Sequence, residues 1–355
     1  MTRFFEPKVS ATGLLHATGA LAGLCTVAGF FASCSWLLEL ACHFRLQYAL
    51  ALAAVALLTR FSPRPDRTSA SAATPPAHQP RWPSLVYAAL ALSNLAVLLP
   101  SFVPPATRPP PAGSKQWRIV TLNVHTANPR HDLVEAFLRR EDPDVILLIE
   151  VDARWLTQLE ALTNVWPHTI QAPRDDNFGI ALFSRHPFSE ARMIGLGEAG
   201  LPSIEAEVQI GGQPVWIFGT HPLPPSGAEN ARLRDAQLEH AADHAAARTG
   251  SRLLLGDLNT TPWSPVYRRL LARSGLIDTL RGRGYQPTWP GHFVPLWIPL
   301  DHCLASPDLT VLDRRVGPHV GSDHRPVIVD LAFPFGDSPL SMSHCPSTVA
   351  LSLGH

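Results

Sequence analysis

Charge is scarce in this chain, at 16% of residues, and its gaps are localised. Gly13 to Leu38 runs for 26 residues without an Asp, Glu, Lys or Arg, and Ser84 to Val103 for 20 more. Over the full 355 residues, 29 basic side chains balance 29 acidic ones, so the net charge is zero. No global basic field advertises a nucleic-acid or acidic-membrane partner. Cysteine is also sparse. Three of the five (Cys25, Cys34, Cys42) lie in or beside the uncharged runs, and Cys303 and Cys345 are far from them. One distant pair is no disulfide framework. Cys-rich zinc spacing is missing, as is any internal repeat.

What is present begins with length and apolarity. The first uncharged run measures about 39 Å as a helix, against roughly 30 Å for a bilayer core. The second contains Asn94 and Pro100, both tolerable in a spanning helix. Between them, Leu46 to Leu58 is apolar but bounded by Arg45 and Arg60, and at about 20 Å it spans only if both arginines snorkel. Thr59 to Pro83 carries Arg60, Arg64, Arg67 and Arg81, whereas Glu39 to Arg45 carries one arginine and one acid. With Arg3 and Lys8 at the N-terminus, the positive-inside rule asks for three spans, about 13–38, 44–60 and 84–103. The expectation is a multi-pass protein of the inner (plasma) membrane with its large domain periplasmic or extracellular. A cleaved signal peptide is the alternative for the first run; its length and the two later apolar segments weigh against it.

The chain then divides into an anchor (1–103), a Pro-rich linker (104–114), a large domain (115–334) and a loose Ser- and Pro-rich tail (335–355). Ser62 to Pro83 reads as an irregular loop. Within the large domain, strands are expected at Arg118–Val124, Val145–Ile149, Phe178–Phe183, Ile204–Ile210, Val215–Phe218, Arg252–Leu255, Leu300–Leu304 and Val327–Leu331. Helices are expected at Leu133–Arg140, Glu229–Arg248 and Ser264–Arg273. Strands without strict βαβ alternation imply packed sheets with helices outside.

Several of these strands run into a polar residue able to bind a metal or a phosphate. They supply Asn123, Glu150, His221, Asp257 with Asn259, and Asp301, and the last strand is preceded by Asp323 and His324. Asp257 and Asn259 are two apart, so on an extended chain both face one way. Oxygen ligands of this type suit Mg²⁺, with Mn²⁺ as the alternative, better than zinc. Each residue alone has a plainer reading: Glu150 as a solvated strand end, His221 as a loop histidine, Asn177 as a turn residue, His125 and His302 as structural. Trp289 and Trp297 fit a substrate wall, core packing or membrane contact equally well. The arginines at 268, 269, 273, 281 and 283 read as a solvated face rather than a nucleic-acid footprint.

From Trp117 to Phe333 the chain resembles the endonuclease/exonuclease/phosphatase family, which includes DNase I-like nucleases, inositol-polyphosphate 5-phosphatases and neutral sphingomyelinases. The resemblance lies in Thr121-Leu-Asn123, Ile149-Glu150, Gly179 to Arg185, Thr220-His221, Gly256-Asp-Leu-Asn259, Leu300-Asp301 and Ser322 to Pro326, all in family order. It implies a four-layer α/β sandwich: two mixed β-sheets flanked by helices, preceded here by transmembrane helices. The implied activity is metal-assisted attack of water on a phosphodiester or phosphomonoester. Glu150 is the expected principal metal ligand, with Asn123 and Asp323 completing its shell. Asp257 and Asn259 are expected to position water or contact phosphate, and His221 to donate to a phosphate oxygen. His324 is expected as general base or as a stabilising imidazolium, oriented by Asp301. The expected partners are a phosphate-ester substrate, either nucleic acid or phospholipid head group, and the bilayer, with no protein partner. The competing reading is a non-catalytic phosphate- or lipid-binding module on the same scaffold. The completeness of the acids and histidines argues against it.

Overall fold

The computed structural model describes residues 10–61, 82–105, 110, 114–210 and 212–333. The basic residues Arg3, Lys8, Arg64, Arg67 and Arg81, most of the expected loop and linker, Cys345 and the 335–355 tail lie outside the described residues. The N-terminal part consists of α1 (Ala11–Phe30), α2 (Trp36–Leu40), α3 (Arg45–Phe61) and α4 (Trp82–Leu98), the last extended by a 3-10 turn to Ser101. Two helical stretches, Ala11–Phe30 and Trp82–Ser101, are long and apolar enough to cross a membrane.

The single helix expected over Gly13–Leu38 is in fact two elements. The amides of Phe31 and Cys34 turn back to Ala28 and Phe31, ending α1, and the Ser35 hydroxyl accepts from the Leu37 amide to start α2. A side-chain acceptor at this position satisfies an amide that the helix itself leaves unpaired. Arg45 also departs from expectation, because it does not snorkel. It is buried and donates to the Thr26 carbonyl (3.1 Å) and to Asn94 Oδ1 (3.2 Å), while Asn94 Nδ2 donates to Thr26 Oγ1 (2.9 Å). Three polar residues on α1, α3 and α4 thus bond to one another among apolar helices.

The large domain follows in the order β1 (Gln116–Asn123), α5 (His131–Glu141), β2 (Val145–Ile149), α6 (Ala153–Gln158), β3 (His168–Ala172), β4 (Ile180–Ser184), β5 (Phe188–Gly195), β6 (Pro202–Ile210) and β7 (Gln213–Gly219). It continues through α7 (Ala228–Ala247), β8 (Ser251–Asp257), α8 (Pro265–Ser274), β9 (Ile277–Asp278), β10 (Asp301–Ala305), β11 (Thr310–Val316) and β12 (Val327–Ala332). Two six-stranded sheets result, ordered β11-β12-β1-β2-β4-β3 and β5-β6-β7-β8-β10-β9. Both are mixed: β1 pairs parallel with β2, and β7 with β8, in otherwise antiparallel ladders.

Strand β2 shows why the sheets stack. All five of its residues are apolar and buried. Leu147 and Ile149 meet Ile217 and Leu255 of the other sheet, while Ile146 and Leu148 pack with Phe137 and Trp155 of α5 and α6. Each such side chain contributes about 1.5–3 kcal/mol by leaving water. On the far side, α7 and α8 cover β7 and β8 through Leu238, Ala242 and Tyr267. The order is helix, sheet, sheet, helix.

The N-terminal helices are docked onto this domain. Ala32, Cys42 and Leu98 form one apolar cluster with Trp263, joined by Tyr285. The Gly282 and Gly284 amides donate to the carbonyls of Pro100 and Ser101. The chain leaving α4 is therefore tied to the large domain before the proline-rich segment begins.

Candidate active site

The strand ends deliver the polar residues to one cleft. Asn123 closes β1 opposite Ile149, the residue before Glu150, and Asp257 closes β8 opposite Asp301, the first residue of β10. His221 follows β7, and Asp323 and His324 precede β12. Gly256 permits the crowding at this edge. Its φ is +146°, and a Cβ there would lie 1.9 Å from the Thr220 carbonyl oxygen, so only glycine lets β8 pass the segment that carries His221.

Asn123 Nδ2 donates to Glu150 Oε1 at 2.7 Å and lies 3.4 Å from Asp257 Oδ2. Asp257 Oδ2 is 3.6 Å from His324 Nε2 and 3.7 Å from His221 Nε2. His324 Nδ1 is 2.8 Å from Asp301 Oδ2. The Asn259 amide donates to Asp257 Oδ1 (2.9 Å), and its side-chain nitrogen to the Pro222 carbonyl (3.0 Å). The eight residues singled out in the sequence form one connected group through these contacts, with Asp323 joined through His125. His125 Nδ1 lies 3.5 Å from Glu150 Oε2 and 3.6 Å from Asp323 Oδ1.

His125 is thus at the centre of a carboxylate pair, although its sequence context favours a structural role. Its place two residues after Asn123, on the same strand exit, is the signal that pointed there. Three further contacts were not legible in the sequence. Trp289 Nε1 donates to Asp323 Oδ2 (3.2 Å). Thr288 Oγ1 accepts from the amides of Leu300 and Asp301. Ser322 Oγ donates to the Asn123 carbonyl and accepts from the His324 amide. His302 behaves as expected of a structural residue, bonding Thr260 and packing on Tyr267. Asn177 is exposed at φ +67°, as a turn residue. Arg269 and Arg273 pair with Asp235 and Asp243, consistent with a solvated face.

The electrostatics split the site in two. On one side, Glu150 sits at φ +62°, an uncommon conformation for a glutamate, its carbonyl held by Thr126 Oγ1 at 2.9 Å. Burial pushes its carboxyl above the usual range, the neighbouring Asp323 adds to that, and Asn123 and the nearby histidines oppose it. Its Oε2 is buried with no hydrogen-bond partner. A buried carboxylate oxygen that makes no hydrogen bond, beside a second carboxylate, is an arrangement that a divalent cation satisfies. On the other side, burial lowers the His324 pKa, but the charges of Asp301 and Asp257 outweigh it and lift the imidazole to about 10. Burial pushes Asp257 up to about 7, against the pull of His324. Asp301 is held below the usual carboxylate range, since the His324 charge and hydrogen bond overcome its burial. Burial, then the His324 charge, lowers His221 to about 4.

Donor atoms of Asp257, Asp301 and His324 also lie within 4.8 Å of one another. In that cluster the His324 ring lies between the two carboxylates. On the other side the Glu150 and Asp323 carboxylates flank the His125 ring, and Asn123 fixes the Glu150 carboxylate.

The sequence pattern of the endonuclease/exonuclease/phosphatase family matches residues 120–324, more than half of the chain and every residue of this cleft. The chain belongs to that family. No curated protein matches it. Among solved structures it is similar to an endonuclease/exonuclease/phosphatase from Beutenbergia cavernae, at 24% identity and TM-score 0.51, covering 62% of this chain and 72% of that one. It is also similar to TDP2 from C. elegans, at 17% identity and TM-score 0.52, covering 61% and 75%. TDP2 from D. rerio, complexed with a single-strand DNA product, aligns at 17% identity and TM-score 0.51, covering 61% and 99%. These likenesses concern the fold. Membership of the endonuclease/exonuclease/phosphatase family makes the chain a phosphoester hydrolase.

Proposed function

We propose that this chain is a membrane-anchored, divalent-metal-dependent phosphoesterase that acts on a phosphoester held at the lipid surface. The observation that carries the metal reading is the buried Oε2 of Glu150, which makes no hydrogen bond and faces Asp323 across His125. Glu150 and Asp323 would hold Mg²⁺, or Mn²⁺ in its place, and Asn123 would orient the Glu150 carboxylate. When bound, the metal neutralises phosphate charge and eases departure of the leaving oxygen. Asp257 is the group suited to take the proton of the attacking water, because burial has brought its pKa to about 7. His324, held protonated by Asp301, donates to a phosphoryl oxygen rather than acting as base. His221 is neutral at pH 7 and supplies a second donor. The tie to Pro222 fixes the Asn259 side chain at the rim.

Two observations support the membrane setting. The segment around α2 and the turn after α4 both bond to the catalytic domain, so both share its side of the bilayer. That arrangement fits three crossings, with α3 as the third and the catalytic domain periplasmic or extracellular. The lipid-surface reading rests on the loop Gly291–Trp297. Phe293, Val294 and Leu296 are exposed there, and the Trp297 carbonyl accepts from Gln47 Nε2 (2.8 Å), near the start of α3. The same loop reaches the cleft, its Gly291 amide donating to the Asp323 carbonyl. An apolar patch next to a membrane helix and a metal ligand favours a lipid phosphoester over a free nucleic acid.

The test is the full chain in nanodiscs assayed with phospholipid vesicles, single-stranded DNA, RNA and bis-p-nitrophenyl phosphate. Preferential hydrolysis of the lipid is expected. Efficient turnover of DNA or RNA with inert lipid would replace the lipid reading with a nuclease one.

A further inference from the structure

The segment between α1 and α3 reaches further into the catalytic domain than a tether requires. Glu39 on α2 and Arg234 on α7 are both buried, and Arg234 Nη2 donates to Glu39 Oε2 at 2.6 Å. The other Glu39 oxygen accepts from Ser264 Oγ at 2.7 Å. Arg234 uses its remaining reach on Asp235 Oδ1 (2.8 Å) and on the backbone carbonyl of Asn259 (3.1 Å). Asn259 stands at φ +48°, in a turn closed on one side by Asp257 Oδ1 and on the other by this guanidinium. The residues just after it are held by the same segment. His43 Nδ1 lies 2.9 Å from Thr261 Oγ1, and Trp263 Nε1 donates to the His43 carbonyl.

A guanidinium is a planar fork whose donors are set at fixed angles. With Glu39 and Asp235 on two of its edges, the third is aimed at Asn259 and its position is no longer free. Remove Glu39, and a buried cation loses a carboxylate partner and must turn to find another. The left-handed turn that presents Asp257 then loses its brace. We propose that Glu39 is a positioning residue for the catalytic turn, acting through Arg234 on the Asn259 backbone, so that the N-terminal helices are a working part of the active site and not only a tether.

The inference rests on the phosphoesterase reading for its kinetic readout alone. The experiment uses the full chain in nanodiscs with bis-p-nitrophenyl phosphate, a soluble substrate whose access does not depend on the membrane. Glu39→Ala should lower kcat by about 10-fold or more, as a small misalignment of reacting groups does, while KM stays within about twofold. Glu39→Ala combined with Arg234→Ala should be no slower than Arg234→Ala alone, because the two act in series. Leu98→Val, which trims apolar packing across the same junction, should keep wild-type kcat. Amide hydrogen exchange over residues 255–262 reads the turn without turnover, so an inactive wild type would sink the phosphoesterase reading while leaving this one decidable. Faster exchange in Glu39→Ala but not in Leu98→Val supports the proposal. Unchanged exchange overturns it, as does a kcat within twofold of wild type, or an equal loss in Leu98→Val.

Discussion

His324 Nδ1 lies 2.8 Å from Asp301 Oδ2, while its Nε2 faces Asp257 Oδ2 at 3.6 Å. One imidazole therefore sits between two buried carboxylates, and the inner bond fixes which nitrogen points into the cleft. Asp301→Asn keeps the shape but removes the charge that holds the ring protonated. The expected result is a kcat lowered by about 10²–10⁴-fold with the fold intact. Steady-state kinetics alongside thermal unfolding checks it, and a variant that unfolds rather than slows would point to a structural role.

The same pair sets the pH response. Asp257 is protonated below about 7 and so unable to accept a proton there, whereas His324 keeps its proton up to about 10. Activity should rise as pH passes 7 and fall as it approaches 10. A profile of kcat/KM from pH 5 to 11 reports both limbs. Asp257→Asn should flatten the acidic limb at a low rate, and a rate that climbs toward acid pH would contradict the assignment.

The metal should bind on the Glu150 side of the cleft. Adding Mg²⁺ should raise the thermal midpoint of the wild type, since a ligand that binds only the folded form stabilises it, by about 2.7 kcal/mol at a hundred times its Kd. Glu150→Gln should lose that rise. Crystals soaked in Mn²⁺ should give an anomalous peak beside Glu150 and Asp323. A peak at Asp257, Asp301 and His324 instead would reverse the division of the site.

Phe293, Val294 and Leu296 separate contact with the bilayer from chemistry. Changing all three to serine should depress hydrolysis of lipid in vesicles by about 10-fold or more, as expected when roughly 1.5–3 kcal/mol per buried apolar side chain is lost from membrane contact. Turnover of bis-p-nitrophenyl phosphate should stay at the wild-type rate. Equal losses on both substrates would place the loop in the catalytic machinery.

The soluble domain cut from its helices should be less stable than the same domain in the full chain. Excision removes Glu39 together with the segment that covers Arg234, and it strips the Trp263 cluster of Ala32, Cys42 and Leu98, so buried contacts of both kinds are lost. Chemical denaturation of the two forms, followed by the exchange of core amides in β8, measures the difference. Equal stability would show that the junction contributes nothing.

The buried strands and the cleft were the legible parts. β2, β8 and β10 are apolar runs ending in an acid or leading out of one, and a strand fixes where its last side chain points. β5 and β11 were not legible: both lie at sheet edges, and residues such as Glu190, Arg192, Asp313 and Arg315 give them a solvated surface in place of alternation. β3, also an edge strand, is only half buried and carries the same weakness. The break after Phe30 was hidden because no charge marks it; only Ser35, the cap that starts α2, stands near it. The Trp289–Asp323 bond and the Glu39–Arg234 pair join residues far apart in sequence, and no local pattern carries them.

Metal dependence of turnover is the most direct test of the account. The full chain in nanodiscs is assayed on one phosphodiester as purified, after EDTA, and after Mg²⁺ is restored, with Glu150→Gln in parallel. The account predicts activity that disappears with chelation, returns with Mg²⁺, and is missing from Glu150→Gln at every stage. Hydrolysis that persists in EDTA, or in Glu150→Gln, would contradict it.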